Sequence, residues 1–599
     1  MSVTRNKSTA RADNDIARLD RPVPAGVNAP AFGSDVVADA LRATEIPYIA
    51  LNPGASYRGL HDSLVNYLGN EQPQMLLCLH EESAVAIAHG YAKVTGTAMA
   101  AAVHSNVGLM HATMAFFNAW CDRMPMVVLG ATGPVDAVKR RPWIDWIHTA
   151  RDQGALVRGY TKWDDQPASA AAAREAILRA AWIANTAPRG PTYINLDAGM
   201  QEEKLAEPVA PIDAVRYMPP VTAAPAADLV ASAAALLREA KHPVILAGRC
   251  SRSVEGWQAR VKLAERLGAQ VVTDLKIAAS FPTDHPLHAG APGGTVLAPQ
   301  AIEAIRNADV ILSLDWLDVA GTFKNCGKVG AKVIQVSIDH QLHNGWSMDY
   351  QGLPPVDVFL PCEPEQAVTA LLAALGDGKP RPAVANTHDL PVPAGDKLTV
   401  DHMADALRRA VGDRPASLTH VSLSWNGASW PFRHPLDYLG SDGGGGVGGG
   451  PGISVGAALA LKGSGRLPIA VCGDGDFLMG VTALWTAAHY KIPLLVVVAN
   501  NRSFFNDELH QERVARMRGR PVENRWVGQK ISEPDIDLAA MARAQGATAF
   551  GPVTGIGDLA SVFDEAIAAV ESGALVVVDV RVQPGYTAAT TAAMTRKSD

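Results

Sequence analysis

Cysteine is scarce in this chain, and its few cysteines are widely scattered. Six occur among 599 residues, and no two of them form a CxxC pair. This spacing excludes a disulfide framework and a cysteine-based zinc site. We therefore expect reduced and mostly buried thiols. The six residues are Cys78, Cys121, Cys250, Cys326, Cys362 and Cys472.

Long apolar runs and an excess of positive charge are also missing. No stretch reaches the roughly 18 apolar residues that a membrane span needs. The polar N-terminus has no apolar region of the kind found in secretory signals. The net charge is −7 and the isoelectric point is near 6.2, whereas nucleic-acid-binding proteins usually carry a basic surface. We therefore expect a cytoplasmic protein that binds neither a membrane nor nucleic acid.

Apolar runs of strand length alternate with Ala-rich helical stretches over most of the chain. The runs are almost continuously hydrophobic, which is typical of parallel strands covered by helices on both faces. The pattern predicts an α/β protein built from doubly wound parallel sheets. The eight clearest runs are residues 125–131, 191–197, 242–248, 308–315, 331–339, 467–475, 492–501 and 574–582.

Two Pro-rich segments interrupt this alternation. Residues 201–226 and 377–397 have the composition of interdomain linkers, and they divide the chain into three domains of similar size. We also predict a flexible N-terminal arm and a short C-terminal tail. The predicted boundaries are 1–28 for the arm, 29–200, 225–376 and 398–585 for the three domains, and 586–599 for the tail.

The third domain contains a strand–helix–strand unit with polar residues after each strand. The sequence GDGD (473–476) follows the apolar run LPIAV, and Asn501 follows the run IPLLVVVAN. The carboxyl ends of parallel strands form the edge at which ligands bind in α/β sheets. Asp474 and Asn501 offer the oxygen ligands that Mg²⁺ prefers, and a helix N-terminus favours a nearby anion. The spacing therefore predicts a site for a metal ion and a phosphate group.

This unit resembles the diphosphate- and metal-binding motif of thiamine-diphosphate enzymes of the acetolactate synthase and benzoylformate decarboxylase superfamily. The resemblance implies that the main-chain carbonyl of Ser503 is a third metal ligand beside Asp474 and Asn501. The chain departs from the family at Asp476, where a small residue such as Ser is common. A second carboxylate would repel a diphosphate, so we expect Asp476 to point away or to contribute only its N–H.

The first domain has a second signature of the same superfamily. Residues 75–96 read as a strand entering a helix, with Glu81 at the junction. An acidic residue there could simply be favoured by the helix dipole. The stretch resembles the region in which the activating Glu lies ten residues before the Tyr of GYA, here Tyr91. The resemblance implies that Glu81, rather than its neighbour Glu82, hydrogen-bonds to the aminopyrimidine ring and activates the cofactor.

The resemblance covers about residues 30–585 and has consequences for domains and assembly. It implies that the three domains are a pyrimidine-binding, a central and a diphosphate-binding domain. In this superfamily the Glu and the metal motif come from different subunits. The resemblance therefore implies at least a homodimer, and we expect a tetramer.

Two histidines are candidates for proton transfer. The stretch AAVHSNVG resembles one in benzoylformate decarboxylase and makes His104 a candidate, and SFPTDHPLHAG does the same for His285. His288 is an unmatched neighbour, and each of these histidines could instead be structural. Where benzoylformate decarboxylase has a serine that touches the substrate carboxylate, this chain has Ala55, followed by Ser56.

A Gly-rich segment, residues 440–461, leads into an Ala-rich helix. It resembles the family segment in which a bulky apolar side chain supports the bent cofactor, a position held here by Val447. Three polar residues before it could hydrogen-bond to the diphosphate. The complete set of cofactor-binding candidates is Glu81, Ser422, Ser424, Asn426, Val447, Gly473, Asp474, Gly475, Asp476, Asn501, Ser503 and Phe504.

Together these features predict an enzyme that uses thiamine diphosphate and Mg²⁺ to cleave or form a C–C bond next to a carbonyl. Our first hypothesis is a 2-oxo acid decarboxylase or carboligase that resembles benzoylformate decarboxylase. An acetolactate synthase-like transferase and a 2-hydroxyacyl-CoA lyase are alternatives, so the substrate is a 2-oxo acid, a 2-hydroxy ketone or an acyl-CoA. Five arginines between residues 513 and 525 could bind a CoA ester or lie on a solvated helix face.

The sequence is less consistent with two further classes of protein. Intact Glu81, Asp474 and Asn501 count against a catalytically silent regulatory protein that binds thiamine diphosphate. A nucleotide-binding dehydrogenase would need a GxGxxG fingerprint, which the central domain lacks. Some acetolactate synthases bind FAD around this domain, but LAGRCSRS (246–253) is not specific enough to predict FAD here.

Overall fold

The computed structural model describes residues 19–27, 29–342, 351–382, 385–586 and 591. Within these ranges the chain forms three units, each built on one sheet in which every strand pair is parallel. The predicted α/β class with three parallel-sheet domains is therefore confirmed. All eight apolar runs contain strands.

The N-terminal domain has a six-stranded sheet. Its strands are β1 (Tyr48–Leu51), β2 (Gln74–Leu77), β3 (Met99–Val103), β4 (Met126–Thr132), β5 (Trp163–Asp165) and β6 (Pro191–Asp197). The sheet order is β2-β1-β3-β4-β6-β5. The helices from this domain to the following linker are α1 (Gly33–Ala43), α2 (Arg58–Asp62), α3 (Glu81–Thr95), α4 (Ser105–Asp122), α5 (Ile144–Ile147), α6 (Ala170–Asn185), α7 (Ala198–Glu202) and α8 (Ala214–Tyr217).

The central domain has a five-stranded sheet. Its strands are β7 (Pro243–Ala247), β8 (Gln270–Val272), β9 (Val310–Leu314), β10 (Lys332–Val336) and β11 (Val358–Leu360). The sheet order is β11-β10-β9-β7-β8. The helices are α9 (Ala227–Glu239), α10 (Val254–Leu267), α11 (Pro299–Asn307), α12 (Val319–Cys326) and α13 (Pro364–Leu375).

The C-terminal domain also has a five-stranded sheet. Its strands are β12 (Ala416–His420), β13 (Leu467–Gly473), β14 (Leu494–Asn500), β15 (Thr548–Val553) and β16 (Leu575–Arg581). The sheet order is β12-β13-β14-β16-β15. The helices are α14 (Val400–Val411), α15 (Gly449–Leu461), α16 (Asp474–Gly480), α17 (Ala483–His489), α18 (Phe505–Met517), α19 (Leu538–Ala544) and α20 (Leu559–Glu571). The helical stretch expected after the GDGD sequence is thus two short helices, α16 and α17.

Strand β14 shows why the apolar runs are continuous rather than alternating. Successive side chains point to opposite faces of a strand, and both faces of this strand are covered. On one face, Leu494, Val496 and Val498 pack in a core shared with the N-terminal domain. On the other face, Leu495, Val497 and Ala499 pack with α14 and α20.

Helices α3 and α15 hold the N- and C-terminal domains together at a close contact. A Cβ atom on Gly90 would lie 1.8 Å from the carbonyl oxygen of Ile453, and one on Gly456 would lie 1.9 Å from that of Ile87. Only glycine allows the two backbones to approach so closely. This contact fixes α3, which begins at Glu81, against α15, which forms the end of the Gly-rich segment.

A buried ion pair reinforces the same region. Lys93 of α3 donates to Asp122 of α4 and, at 2.7 Å, to the carbonyl oxygen of Ser441 in the Gly-rich segment. Burial alone would raise the pKa of Asp122, but Lys93 and His89 beside it hold that pKa at about 2. Removing one partner of such a pair would leave a buried charge uncompensated.

Parts of the predicted arm and tail lie outside the described residues, namely 1–18, 28, 587–590 and 592–599. The described part of the arm contacts the C-terminal domain, because the Tyr490 hydroxyl donates to Asp20 Oδ2 at 2.8 Å. All six cysteines are free thiols. None of the helices in the described ranges has the length and apolarity that crossing a bilayer requires.

Candidate active site

Asp474 and Asn501 lie just past neighbouring strands, β13 and β14. The N–H of Ser503 donates to Asp474 Oδ2 at 3.2 Å and to Asn501 Oδ1 at 2.8 Å. Asn500, one residue earlier, instead donates to Asp579 Oδ1 of β16 at 2.8 Å. The side-chain oxygens of Asp474 and Asn501 therefore converge on one amide at the edge of the sheet.

The surroundings of Asp474 suit a carboxylate that binds a cation. The Asp474 carboxylate is buried and accepts hydrogen bonds from the N–H groups of Gly475 and Ser503. Burial raises the pKa of Asp474 to about 6. No cationic side chain forms an ion pair with Asp474 in the part of the chain that the structure describes. Two oxygen-bearing side chains and a nearby main chain are the donor set that Mg²⁺ takes alongside phosphate oxygens.

The main chain beside this pair is accessible on one side and covered on the other. A Cβ atom on Gly473 would have no neighbour within 4 Å, so this stretch of backbone faces open space. A Cβ atom on Gly475 would instead lie 2.5 Å from the ring of Phe504. Gly475 thus allows Phe504 to lie over the turn, and the space beside Gly473 fits a close approach by a diphosphate.

Ser503 is tied to α18, which borders a cavity of ≈ 1140 Å³. The Ser503 hydroxyl donates to the buried carboxylate of Glu508. Further along this helix Glu512 pairs with Arg516 and with Arg525. Two of the five arginines considered for a CoA ester are therefore already neutralised by carboxylates.

Asp476 is turned towards the Gly-rich segment. Its Oδ1 accepts from the N–H groups of Gly448 at 2.7 Å and Gly450 at 3.2 Å, and its Oδ2 lies 3.3 Å from His420 Nε2. Burial alone would raise the pKa of Asp476, but His420 and these N–H groups hold it below its ordinary value. The carboxylate therefore fixes the start of α15 immediately after Val447.

The remaining diphosphate and support candidates lie on two loops of the C-terminal domain. The Val447 side chain is 44 % exposed. The hydroxyl groups of Ser422 and Ser424, on the loop after β12, lie 3.0 Å apart. Asn426 accepts from the N–H of Ala428 at 3.1 Å and so stabilises its own turn. Contact of these four residues with a cofactor stays a prediction.

Glu81 is the first residue of α3, and its side chain lies over the first turn of α4. A Cβ atom on Gly108 would be 3.1 Å from Glu81 Oε1, so the carboxylate packs closely against the glycine. The other oxygen, Oε2, lies 3.2 Å from Nδ1 of His111. The sequence reasoning missed His111, which lies 30 positions away from Glu81 along the chain.

His104 lies directly before α4, close enough to Glu81 for the charge of that carboxylate to affect the pKa of the imidazole. Its Nδ1 is 2.8 Å from the Ser56 hydroxyl oxygen, and its ring occupies the space that a Cβ on Gly54 would fill. The ring of His148 is 4.7 Å away. Burial lowers the pKa of His104, and His148 lowers it further, although Glu81 opposes the shift. His148 was not recognised from the sequence, because only the fold brings the two histidines together.

His285 lies in the central domain and has its own partners there. Its Nε2 is 3.4 Å from Glu265 Oε1, and its ring meets that of Phe281 edge-on. The neighbouring His288 is buried against the Thr273 hydroxyl, and burial lowers its pKa to about 3. Within the described contacts neither histidine meets Glu81 or His104, so a catalytic role for His285 stays a prediction.

The crevice at the carboxyl ends of β7 and β9 is crossed by charged side chains. Arg249 pairs with both Asp315 and Asp339, and Arg123 of the N-terminal domain also pairs with Asp339. A cavity of ≈ 360 Å³ lies beside them. FAD binding in this domain stays an open alternative.

The fold, with three parallel-sheet α/β domains, is that of thiamine-diphosphate-dependent enzymes. Comparison with known families agrees over all three domains. Residues 32–156 match the N-terminal thiamine pyrophosphate binding domain of thiamine pyrophosphate enzymes, residues 230–349 match their central domain, and residues 422–580 match their C-terminal binding domain. The chain belongs to the thiamine pyrophosphate enzyme family. Its group within these enzymes is that of the 2-oxo acid decarboxylases and acetolactate synthases.

Individual relatives are distant but similar over most of their length. The chain is 26% identical to benzoylformate decarboxylase of Pseudomonas aeruginosa over 516 residues, covering 81% of this chain and 88% of the relative. It is 26% identical to the acetolactate synthase large subunit of Corynebacterium glutamicum over 480 residues, covering 75% and 71%. The structure of a Rhodococcus jostii thiamine diphosphate-dependent 4-hydroxybenzoylformate decarboxylase has the same fold, with a TM-score of 0.74, 24% identity and coverage of 93% and 99%.

Replacing Asp476 by Ala tests whether its carboxylate anchors α15. We expect a loss of about 2–4 kcal/mol in the free energy of unfolding, because two N–H groups and His420 lose a buried charged partner. Chemical denaturation of the apoprotein measures this loss. Asp564→Ala, on the exposed face of α20, is the matched control. Unchanged stability combined with tighter cofactor binding would show that the carboxylate repels the diphosphate instead.

Replacing His148 by Asn tests the electrostatics around His104. The substitution removes one cause of the lowered pKa, so the pKa of His104 should rise towards its ordinary value of 6.5. The limb of the kcat/KM pH profile that disappears in His104→Gln reports His104, and in His148→Asn this limb should therefore move to higher pH. His61→Asn, on exposed α2, should leave the limb in place. A limb that stays or moves to lower pH in His148→Asn would contradict this account.

Proposed function

We propose that this protein is a thiamine-diphosphate- and Mg²⁺-dependent 2-oxo acid decarboxylase that can also act as a carboligase. Asp474, Asn501 and the main-chain carbonyl of Ser503 would hold the metal ion, and the backbone around Gly473 would receive the diphosphate. The proposal is supported by the convergence of Asp474 Oδ2 and Asn501 Oδ1 on the Ser503 amide. When bound, thiamine diphosphate supplies a nucleophilic carbon and an electron sink for the departing carboxylate.

The observation that best supports decarboxylation is that the Glu81 carboxylate and the His104 imidazole both lie at the start of α4. Glu81 would exchange a proton with the aminopyrimidine at Oε1, since Oε2 faces His111. Nδ1 of His104 accepts the N–H of Ser56 at 3.4 Å and lies 2.8 Å from the Ser56 hydroxyl oxygen, so Nε2 is the ring nitrogen that Ser56 does not contact. His104 in its protonated form would deliver the Nε2 proton to carbon after carbon dioxide has left, and the ring would return to its neutral form.

A second subunit would complete this site. Glu81 makes its described contacts within the N-terminal domain, whereas Asp474 and Asn501 make theirs within the C-terminal domain. Exposed apolar side chains flank the Glu81 edge: Leu79 is 45 % exposed and Met110 is 53 % exposed. A partner subunit that covered these two side chains would remove their apolar surface from water. We infer a homodimer in which Glu81 faces the metal site of the partner.

The substrate is the least constrained part of the proposal. Benzoylformate decarboxylase of Pseudomonas aeruginosa is among the similar proteins, which favours a 2-oxo acid. The position of the serine that touches benzoylformate is Ala55, and the adjacent Ser56 is held by His104. We therefore propose a 2-oxo acid whose carboxylate is recognised differently. A CoA ester is less favoured, because Arg516 and Arg525 are paired with Glu512.

The test is a panel of 2-oxo acids and acyl-CoA esters incubated with the metal-loaded holoenzyme. We expect release of carbon dioxide and an aldehyde from at least one 2-oxo acid. Glu81→Gln should lower kcat by about 10²–10⁴-fold, the usual contribution of a positioned acid–base group. Glu82→Gln, the neighbour on the same helix, is the matched control and should lose far less.

Three outcomes would count against the proposal. Full activity of Glu81→Gln would exclude the assigned role of that residue. Conversion of pyruvate to acetolactate as the main reaction would favour the transferase. Turnover of CoA esters alone would favour the lyase.

A further inference from the structure

Glu81 has a neighbour that none of the family motifs accounts for. His111 lies on α4, one helical turn after the glycine on which the Glu81 side chain rests. Its Nδ1 is 3.2 Å from Glu81 Oε2. The Glu81 side chain is 12% exposed and that of His111 is 60% exposed, so the contact joins a nearly buried carboxylate to an accessible imidazole.

A second imidazole fixes the plane of this one. The ring of His80 is stacked on that of His111, with centroids 5.4 Å apart and an angle of 12° between the planes. His80 is itself fixed, because its Nδ1 accepts the N–H of Glu82 at 3.2 Å as the N-cap of α3. An imidazole nitrogen that accepts this N–H has no proton of its own. The His80 ring is thus a fixed surface against which His111 packs.

Three contacts constrain the Glu81 carboxylate. Gly108 lies beneath it, the start of α3 fixes its backbone, and His111 Nδ1 faces Oε2. An imidazole that donates to one carboxylate oxygen leaves the other available and sets its direction. For Glu81 the available atom is Oε1.

We propose that His111 is a positioning residue for Glu81: its Nδ1–H holds Oε2 so that Oε1 is presented to the aminopyrimidine of thiamine diphosphate. This inference rests on the proposed role of Glu81 as the activating acid. His111 acts through Glu81 and does not itself touch substrate or cofactor. The His80 ring supports it by stacking.

The experiment measures cofactor activation without any substrate. Exchange of the C2 proton of bound thiamine diphosphate for deuterium is followed by acid quench and NMR in the metal-loaded holoprotein. His111→Ala should slow this exchange at least tenfold while the Kd for thiamine diphosphate changes less than threefold. His111→Asn should recover most of the rate, since the Asn amide can donate from nearly the same place as Nδ1.

A second measurement uses the apoprotein. Because the two side chains interact, Glu81→Gln should shift Tm by different amounts in the wild-type and His111→Ala backgrounds. His61→Ala, an exposed histidine on α2, is the control for both measurements and should behave as wild type. Since His111 is largely exposed, its substitution should not prevent folding.

Wild-type exchange in His111→Ala would overturn the proposal, and so would slow exchange explained entirely by weaker cofactor binding. Equal Tm shifts in the two backgrounds would also overturn it, since they would show that the contact has no energetic effect.

These measurements can be distinguished from a failure of the proposed function. A protein that decarboxylates none of the tested 2-oxo acids would still report C2 exchange, whereas slow exchange in the wild type and in Glu81→Gln alike would argue against the activating role of Glu81.

Discussion

The amide of Ser503 meets two side-chain oxygens, one from the end of each of two adjacent parallel strands. This arrangement depends on β13 and β14 being neighbours, because only then do Asp474 and Asn501 face each other across the sheet edge. It leaves a buried carboxylate with main-chain donors and no cationic partner among the described contacts. A carboxylate in that condition favours a cation, and a cation at that edge attracts a phosphate.

The need to compensate a buried charge also explains the contacts of Asp476. A carboxylate next to a diphosphate site is compatible with anion binding only if its charge is satisfied elsewhere. Here the N–H groups of Gly448 and Gly450 and the imidazole of His420 satisfy it. The residue that departs from the family pattern thus links the turn after β13 to the start of α15, and through α15 to α3, which begins at Glu81.

The fold was predictable because parallel strands buried on two faces leave a strong hydrophobic signal, as β14 does. The closeness of Asp474 and Asn501 was predictable because both residues follow such strands, and their role as metal ligands stays a prediction. The contacts of His148, His111 and His80 were not predictable, since they depend on how α4 and the loop after β4 pack against α3. Nor could the partners of Asp476 be read from its neighbours in sequence, because His420 ends a different strand.

The central claim is that Asp474 and Asn501 hold a metal ion that binds thiamine diphosphate. Isothermal titration of thiamine diphosphate into the apoprotein, with Mg²⁺ present and with EDTA in its place, tests it most directly. The account predicts saturable binding with Mg²⁺, and none at the same concentrations with EDTA or in Asp474→Ala. Equal affinity with and without the metal, or an unchanged affinity in Asp474→Ala, would contradict it.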